Sequence, residues 1–365
     1  MVNVLFDHVI FSRQEIGGIS RYIVQLIKEF SKNDVSAKVI APLHSNRLLR
    51  SLGSKDVKGH DLRWPSFYRY KGFFLTLNHA LSPLITPNNI PQVIHETYYS
   101  RYPALRFNVP KVLTVHDCVH ERFPKLFNSN DNTLSLKRRS IQRANHFICI
   151  SQNTKKDLIH FYNVPESKIS VIYHGIESKS VNNLEGYVAR RPYFLYVGGR
   201  ANYKNFSVLL KAFALSSNLR HNTMIIAFGG GEFTPSEQMQ ISELGLSSNI
   251  EWASGPDDLL NQYYKGALAL VYPSLYEGFG FPPLEAMRFG CPVLASNSSC
   301  IPEITGNAAF LFDPTMEEEL LLGMEKILSD ISYVEELNKK AVVRIQQFQW
   351  ANTGELTAQV YKNLL

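Results

Sequence analysis

The sequence predicts an α/β protein made of two doubly wound domains, each a parallel sheet covered by helices on both faces. Three observations lead there. At 365 residues the chain is long for one core and comfortable for two domains of roughly 150–200 residues each. Continuous apolar runs recur from end to end, as in VNVLFDHVIF, PKVLTVHDCVH, TMIIAFGGG and ALALVYPS, interspersed with glycine turns and amphipathic helical patterns. Between two such series lies ESKSVNNLEGYVARR, which is polar and rich in turn formers. The expected division is residues 1–180 and 181–349, with a last helix at 350–365.

Composition narrows the function classes. With 45% hydrophobic and 19% charged residues the balance is that of a globular protein, which excludes disorder. A net charge of +6 suits a phosphate-bearing substrate or peripheral contact with an anionic membrane surface. Nucleic acid is not expected, because no Arg/Lys-rich run with interleaved aromatics occurs. The densest basic cluster, LKRRSIQR at Leu136–Arg143, fits one exposed helix face. Cys118, Cys149, Cys291 and Cys300 show neither CxxC nor zinc spacing, so free thiols in a reducing compartment are expected. The start MVNVLFDHVIF lacks a signal-peptide pattern, and no run approaches the ~18 apolar residues of a membrane span. The expected location is cytoplasmic, at most peripheral at the inner face of the membrane.

In chain order, VNVLFDHVIF reads as a first buried strand. EIGGISRYIVQLIKEFSK then places Gly17 and Gly18 in a turn and Ile19, Tyr22, Ile23, Leu26, Ile27 and Phe30 on one helical face. A tight turn without a ligand accounts for the glycines as well as a binding loop does. VSAKVIAP is the second strand. From Ser45 to Pro91 the pattern loosens, and RWPSFYRYKGFF interleaves aromatic and basic residues. That suits either a capping segment or a surface where rings stack on sugars and basic side chains meet lipid phosphate. PQVIHETYYS and PKVLTVHDCVH are two further strands. They leave His95-Glu96 and His116-Asp117 at carboxyl ends, where open α/β sheets bind ligands. His95 reads as a hydrogen-bonded core residue. HFICISQNTKKDLIHFY supplies a strand, Ser151 at a helix start, and a helix; KISVIYHGI closes the first domain at His174-Gly175.

The second series opens with FLYVG, a Gly-Gly loop, Arg200 and Lys204, then a helix. Close backbone approach, a planar fork of donors and a point charge are what a pyrophosphate needs. Two solvated loop residues are the bland alternative. TMIIAFGGGEF is a strand with a glycine-rich end, and IEWASGPDDLLNQYYKG gives a short strand, Gly255 and a helix from Asp257. Next comes YPSLYEGFGFPPLEAMRFGCPV, Tyr272 to Val293, around which the rest is organised. It reads as strand, glycine loop and a helix that opens on proline and stops at Gly290. Such a helix N-terminus favours an anion. Yet Glu277 and Glu285 stand eight positions apart across the turn, so the ligand must also present neutral hydroxyls. A sugar joined to a phosphate suits both halves. CPVLASNSSCIPEITGNAAFLFDP then gives strand, polar loop and strand, EEELLLGMEKILSD is helical, and Trp350 precedes the last amphipathic helix.

The E-x7-E unit, in the wording EGFGFPPLEAMRFGCPV, resembles the retaining nucleotide-sugar glycosyltransferases of family 4, of bacterial surface-polysaccharide type. The resemblance covers most of the chain, strongly from Tyr193 onward and poorly from Ser45 to Pro91. It implies the GT-B fold, two Rossmann-like domains facing across a cleft, with the C-terminal helix crossing back to the first. It implies that Glu285 holds ribose hydroxyls, that Glu277 holds the transferred sugar, and that Gly278, Phe279, Gly280 and Phe281 add backbone contacts. Arg200 and Lys204 in GGRANYKN would neutralise the diphosphate, and Ser254 and Gly255, with Trp252 and Ala253, would cradle the base. In the first domain Gly17 and Gly18 become donor-binding candidates, with Arg21 beside them. His116, in VHD, would bond the transferred sugar with Asp117 in support.

No DxD occurs in the sequence, so the expected reaction needs no metal and no cofactor: a hexose passes from a nucleotide-sugar, with UDP-glucose ahead of GDP-mannose, to a lipid-linked or oligosaccharide acceptor. The implied stereochemistry is retaining. Two rivals are kept: a nucleotide-sugar epimerase of the same fold, which needs further acid/base groups, and a non-catalytic nucleotide-sugar-binding scaffold, which predicts loss of site residues.

Overall fold

The computed structural model describes residues 1–86, 90–177, 184–200 and 202–365. They form two compact units, the first Met1–Gly175 with Gln349–Leu365, the second Ile176–Phe348. The boundary expected between residues 180 and 181 lies outside the described residues.

The first unit is built on a seven-stranded sheet. In chain order its strands are β1 (Val2–Phe6), β2 (Val35–His44), β3 (Val57–Asp61), β4 (Val93–Glu96), β5 (Lys111–Val115), β6 (His146–Cys149) and β7 (Ile169–Val171). They lie in the order β3-β2-β1-β4-β5-β6-β7, and the neighbouring pairs run parallel. The order reverses between β1 and β4, the place where an open parallel sheet leaves a crevice at its carboxyl edge. The helix Gly18–Phe30 buries Tyr22, Ile23, Leu26, Ile27 and Phe30, the face that the apolar spacing marks.

The helix Trp350–Asn363 belongs to this unit and packs on Gly18–Phe30. A buried chain of hydrogen bonds ties it to the sheet. His95 meets the Tyr361 hydroxyl at 2.6 Å through Nδ1 and the Thr114 hydroxyl at 2.8 Å through Nε2. Tyr22 joins at Thr114, 3.2 Å away. The return of the chain also depends on Gly175, where a Cβ would stand 2.2 Å from the backbone nitrogen of Trp350. Gly175→Ala should therefore cost about 3 kcal/mol in urea unfolding, the upper end for overpacking, because backbone cannot give way as a side-chain tip can. An unchanged midpoint would refute that.

Three expectations change here. The first strand stops at Phe6, and Asp7 to Gly17 form an irregular loop. Between Ser45 and Pro91, where the pattern loosens, the chain builds the edge strand β3 and the helix Lys71–Ile85. The basic stretch Leu136–Arg143 is only in part an exposed face: Arg138 and Arg139 are exposed, but the other two cations are not. Lys137 is buried with Nζ 2.7 Å from Glu121, and Arg143 forks Glu96 at 2.6 and 2.8 Å. Buried carboxylates need such partners, so these cations point inward.

The second unit carries six strands: β8 (Tyr193–Val197), β9 (Met224–Phe228), β10 (Ile250–Ala253), β11 (Ala269–Tyr272), β12 (Val293–Ser296) and β13 (Phe310–Phe312). Their order is β10-β9-β8-β11-β12-β13, again parallel, with the reversal between β8 and β11. Phe194, Tyr196, Ile225, Ala227, Val271 and Leu294 fill its core with the helices around them. β8, β9, β11 and β12 are buried on both faces, which is why they read as unbroken apolar runs.

Candidate functional site

In the second unit the strand reversal brings together the loops that follow β8 and β11. Lys204 lies on the first and Glu277 on the second, with Lys204 Nζ 2.6 Å from Glu277 Oε1. The backbone fastens the two loops as well, since the Leu275 N–H donates to the Tyr203 carbonyl at 2.8 Å. Both charged side chains keep some exposure, 23% for Lys204 and 12% for Glu277, so a ligand can reach them.

Each glutamate of the E-x7-E unit is oriented by a buried tyrosine. Tyr272 hydrogen-bonds Glu277, and the Tyr264 hydroxyl donates to Glu285 at 3.0 Å. Burial first, and then the neighbouring carboxylate, push both hydroxyls well above their ordinary range, so they remain protonated donors. A polar loop after β12 supports the β11 loop from behind. The Glu277 N–H donates to Ser299 at 2.9 Å, Ser298 donates to the Leu275 carbonyl at 2.7 Å, and Ser296 donates to the Ser274 carbonyl at 2.5 Å. The Cys300 thiol, held protonated by burial, lies 3.1 Å from the carbonyls of Glu277 and Phe279. These residues went unassigned in the sequence, where only the polarity of SNSSC between two strands hints at them.

The helix after the loop spans Phe281–Arg288. Pro282 and Pro283 carry no N–H, so donors at this end come from the backbone around Gly278–Phe281 rather than from a full helical turn. The Phe279 side chain is buried against Phe281 and Phe348. Gly280 turns the chain at φ 99°. Gly280→Ala should destabilise the second unit by about 1–2 kcal/mol through the left-handed backbone alone, since its Cβ would meet nothing closer than 3.6 Å. A melting curve matching the parent would show the turn to be relaxed.

Other expected site residues lie elsewhere. Arg200 turns toward the glycine loop after β9. Its Nε is 2.9 Å from Glu237, and its terminal nitrogens donate to the carbonyls of Gly229, Gly231 and Glu232 at 3.0, 2.8 and 2.9 Å. A diphosphate would have to compete with these bonds. Ser254 and Gly255 are exposed at the carboxyl end of the edge strand β10, two strands away from β8. Trp252 is stitched to the β9 loop through a 3.1 Å bond to the Gly229 carbonyl.

His116, Gly17 and Gly18 belong to the first unit. His116 follows β5, buried edge-on to Tyr22 at 5.5 Å, and burial lowers its pKa to about 4, so the ring is neutral at pH 7. Its Nε2 is buried without a hydrogen-bond partner. Asp117 does not hold that ring; its Oδ1 accepts from the Val119 N–H at 3.1 Å. Gly17 has extended backbone, and a Cβ there would strike the Gln14 amide at 2.3 Å, while Gly18 faces open space.

Comparison with known proteins agrees with this layout. Residues 16–180 match the family model "Glycosyltransferase Family 4", and residues 182–344 match "Glycosyl transferases group 1". The chain is 29% identical over 239 residues to O-antigen chain mannosyltransferase B of Escherichia coli, covering 62% of each protein. It is 31% identical over 233 residues to O-antigen chain mannosyltransferase RfbU of Salmonella typhimurium, covering 63% of this chain and 64% of that one. The matches thus span less than two thirds of these relatives' lengths. In fold, it is similar to sucrose-phosphate synthase of Thermosynechococcus elongatus, with TM-score 0.76 at 17% identity, covering 100% of this chain and 99% of that one. It is also similar to Anabaena Alr3699/HepE in complex with UDP-glucose, with TM-score 0.73, 17% identity and 100% of both chains covered.

Proposed function

We propose, from the premise that this chain belongs to the family 4, group 1 glycosyltransferases of GT-B fold, that it moves a hexose from a nucleotide-sugar to a saccharide acceptor of a bacterial surface polysaccharide. One observation carries the reading: Lys204 and Glu277 in contact at the strand reversal of the second unit. An ammonium there can meet phosphate while the adjacent carboxylate accepts hydroxyls, the two chemistries that a nucleotide-sugar combines.

Glu285, oriented by Tyr264, takes the ribose hydroxyls in this proposal. Glu277, oriented by Tyr272, takes those of the hexose. Arg200 shapes the wall of the site through the β9 loop, leaving Lys204 as the chief cation. The bond from the hexose C1 to the diphosphate oxygen breaks, and Lys204 with backbone N–H groups steadies the charge that develops on that oxygen. The acceptor oxygen bonds to C1 from the same face and its proton passes to the departing phosphate, so configuration is retained and no metal is required. Both named relatives are mannosyltransferases, which moves our proposed donor from UDP-glucose to a mannosyl nucleotide. The acceptor is a lipid-linked oligosaccharide. Among the described residues no helix is long and apolar enough to cross a membrane.

Thermal shift with GDP, UDP, ADP and TDP, with and without EDTA, tests this. One nucleoside diphosphate should raise Tm, unaffected by EDTA, and Glu285→Ala should abolish the rise. Absence of a shift with all four would overturn the proposal, and a rise lost to EDTA would overturn its metal-free form.

A further inference from the structure

The stretch from Gly229 to Glu232 follows β9 and takes a conformation that it cannot hold by itself. Gly229, Gly230 and Gly231 are left-handed in succession, at φ 86°, 69° and 78°. Glycine reaches that region freely but loses more conformational freedom than other residues when fixed there, so a run of three needs an outside template. Arg200, from the loop after β8, supplies it. Its terminal nitrogens gather the carbonyls of Gly229, Gly231 and Glu232 at 3.0, 2.8 and 2.9 Å, and its guanidinium lies 4.9 Å from the centre of the Phe233 ring. The side chain is only 3% exposed. A planar fork of N–H donors suits this task, and a compact ammonium does not.

Glu237 closes the arrangement. One carboxylate oxygen accepts from Arg200 Nε at 2.9 Å, and the other accepts from the Thr234 N–H at 2.7 Å within the cap of the helix Pro235–Glu243. One ion pair thus fixes both the carbonyls of the glycine loop and its exit into the helix. The far side of the loop is joined to β10. The Gly229 carbonyl accepts from Trp252 Nε1 at 3.1 Å as well as from Arg200, and the Gly229 N–H donates to the Ala253 carbonyl at 2.8 Å. Ser254 and Gly255, the residues expected at the base, come next in the chain. Direct contacts therefore run from Arg200 through Gly229 to the loop after β10, whereas Lys204 faces Glu277.

We propose that Arg200 and Glu237 form a buried clasp that sets the base end of the donor site, making both of them positioning residues for recognition of the nucleoside rather than ligands of the diphosphate. Burial favours this role. To reach a phosphate, Arg200 would have to release a carboxylate and three carbonyls, and a buried group that loses its donor is costly. Lys204 and Arg200, four positions apart in GGRANYKN, then divide the ligand between them, the first at the phosphate and the second at the base. That the ligand is a nucleotide rests on the transferase reading above.

The test is titration calorimetry on the full chain with GDP, GMP, UDP and UMP, comparing the parent with Arg200→Lys, Arg200→Met, Glu237→Gln and Lys204→Ala. In both Arg200 variants Kd should rise at least tenfold for the mono- and diphosphate of the preferred base alike, with their ratio within threefold of the parent's. The preference between guanine and uracil should narrow at least threefold, which a purely structural role would not cause in a folded variant. Lys204→Ala should instead change the mono- to diphosphate ratio at least fivefold. Glu237→Gln keeps an oxygen for the cap but not the charge, and should weaken both nucleotides at least threefold; it carries the comparison should the Arg200 variants fail to fold. Undiminished diphosphate affinity in Arg200→Lys, a loss confined to diphosphates in Arg200→Met, or tighter diphosphate binding in Glu237→Gln overturns the proposal, the last because Glu237 would then be a mere competitor for Arg200. Failure of the donor reading looks different, since no nucleotide would then bind the parent chain.

Discussion

Replacing Lys204 by alanine should lower kcat/KM for the nucleotide-sugar by a factor of about 100–1,000, the effect of removing one fixed charge-stabilising donor from a transferase site. The loss has two parts. In the proposed reaction the departing diphosphate forfeits the cation assigned to it, and Glu277, otherwise 2.6 Å from the ammonium, is left uncompensated and half-buried. Glu277→Gln should lower the same parameter, and the double variant should fall short of the product of the two single effects because the groups touch. Lys204→Arg should recover only part of the loss, since a planar fork does not reproduce a point charge. Steady-state assays of nucleotide release in the presence of acceptor measure all four proteins. Activity of Lys204→Ala within tenfold of the parent would remove Lys204 from the reaction.

Acid should unfold the first unit before the second. Ten of the eleven histidines lie in the first unit, the exception being His221. Burial lowers the pKa of His8 and His95 to about 3 and of His116 to about 4, and it lowers His174 further below the ordinary value. As pH falls below 6.5 the unfolded chain takes up protons that the folded unit refuses. Stability is therefore complete above that pH and is lost on acidification, by up to about 1.4 kcal/mol per pH unit for each such histidine. Three of them could remove about 4 kcal/mol per pH unit. Glu96 and Asp7, their pKa values raised by burial, give back part of that, and the balance over two pH units is still comparable to the stability of a domain. Hydrogen exchange resolved by peptide at pH 7, 6 and 5 should show protection failing in residues 1–175 and 349–365 while β8 to β13 remain closed. His95→Gln should flatten the dependence, as a neutral side chain has no proton to refuse. Equal loss in both units would contradict this account.

The sequence alone determined the elements that depend on local pattern. Runs such as TMIIAFGGG and ALALVYPS become parallel strands because both faces of each sheet are covered, and that leaves no polar alternation to blur the signal. The helical face of Gly18–Phe30 and the turn before Phe281 were legible for the same reason: spacing, glycine and proline act within a few residues. Family membership was legible too, in the wording around Glu277 and Glu285. What only the tertiary structure decided are the contacts between residues distant in sequence. Lys204 meets Glu277 across 73 positions, and Arg200 spends its donors on Glu237 and the β9 loop. Lys137 and Arg143, which read as a solvated face, turn inward because Glu121 and Glu96 are buried beside them. The first strand stops at Phe6 even though apolar residues continue, because Thr97 and Ser12 hold the next two side chains in an irregular loop. Local preference decides where a segment can be helix or strand. Which charges are partnered, and which polar atoms are left to meet a ligand, depends on neighbours that only the folded chain brings together.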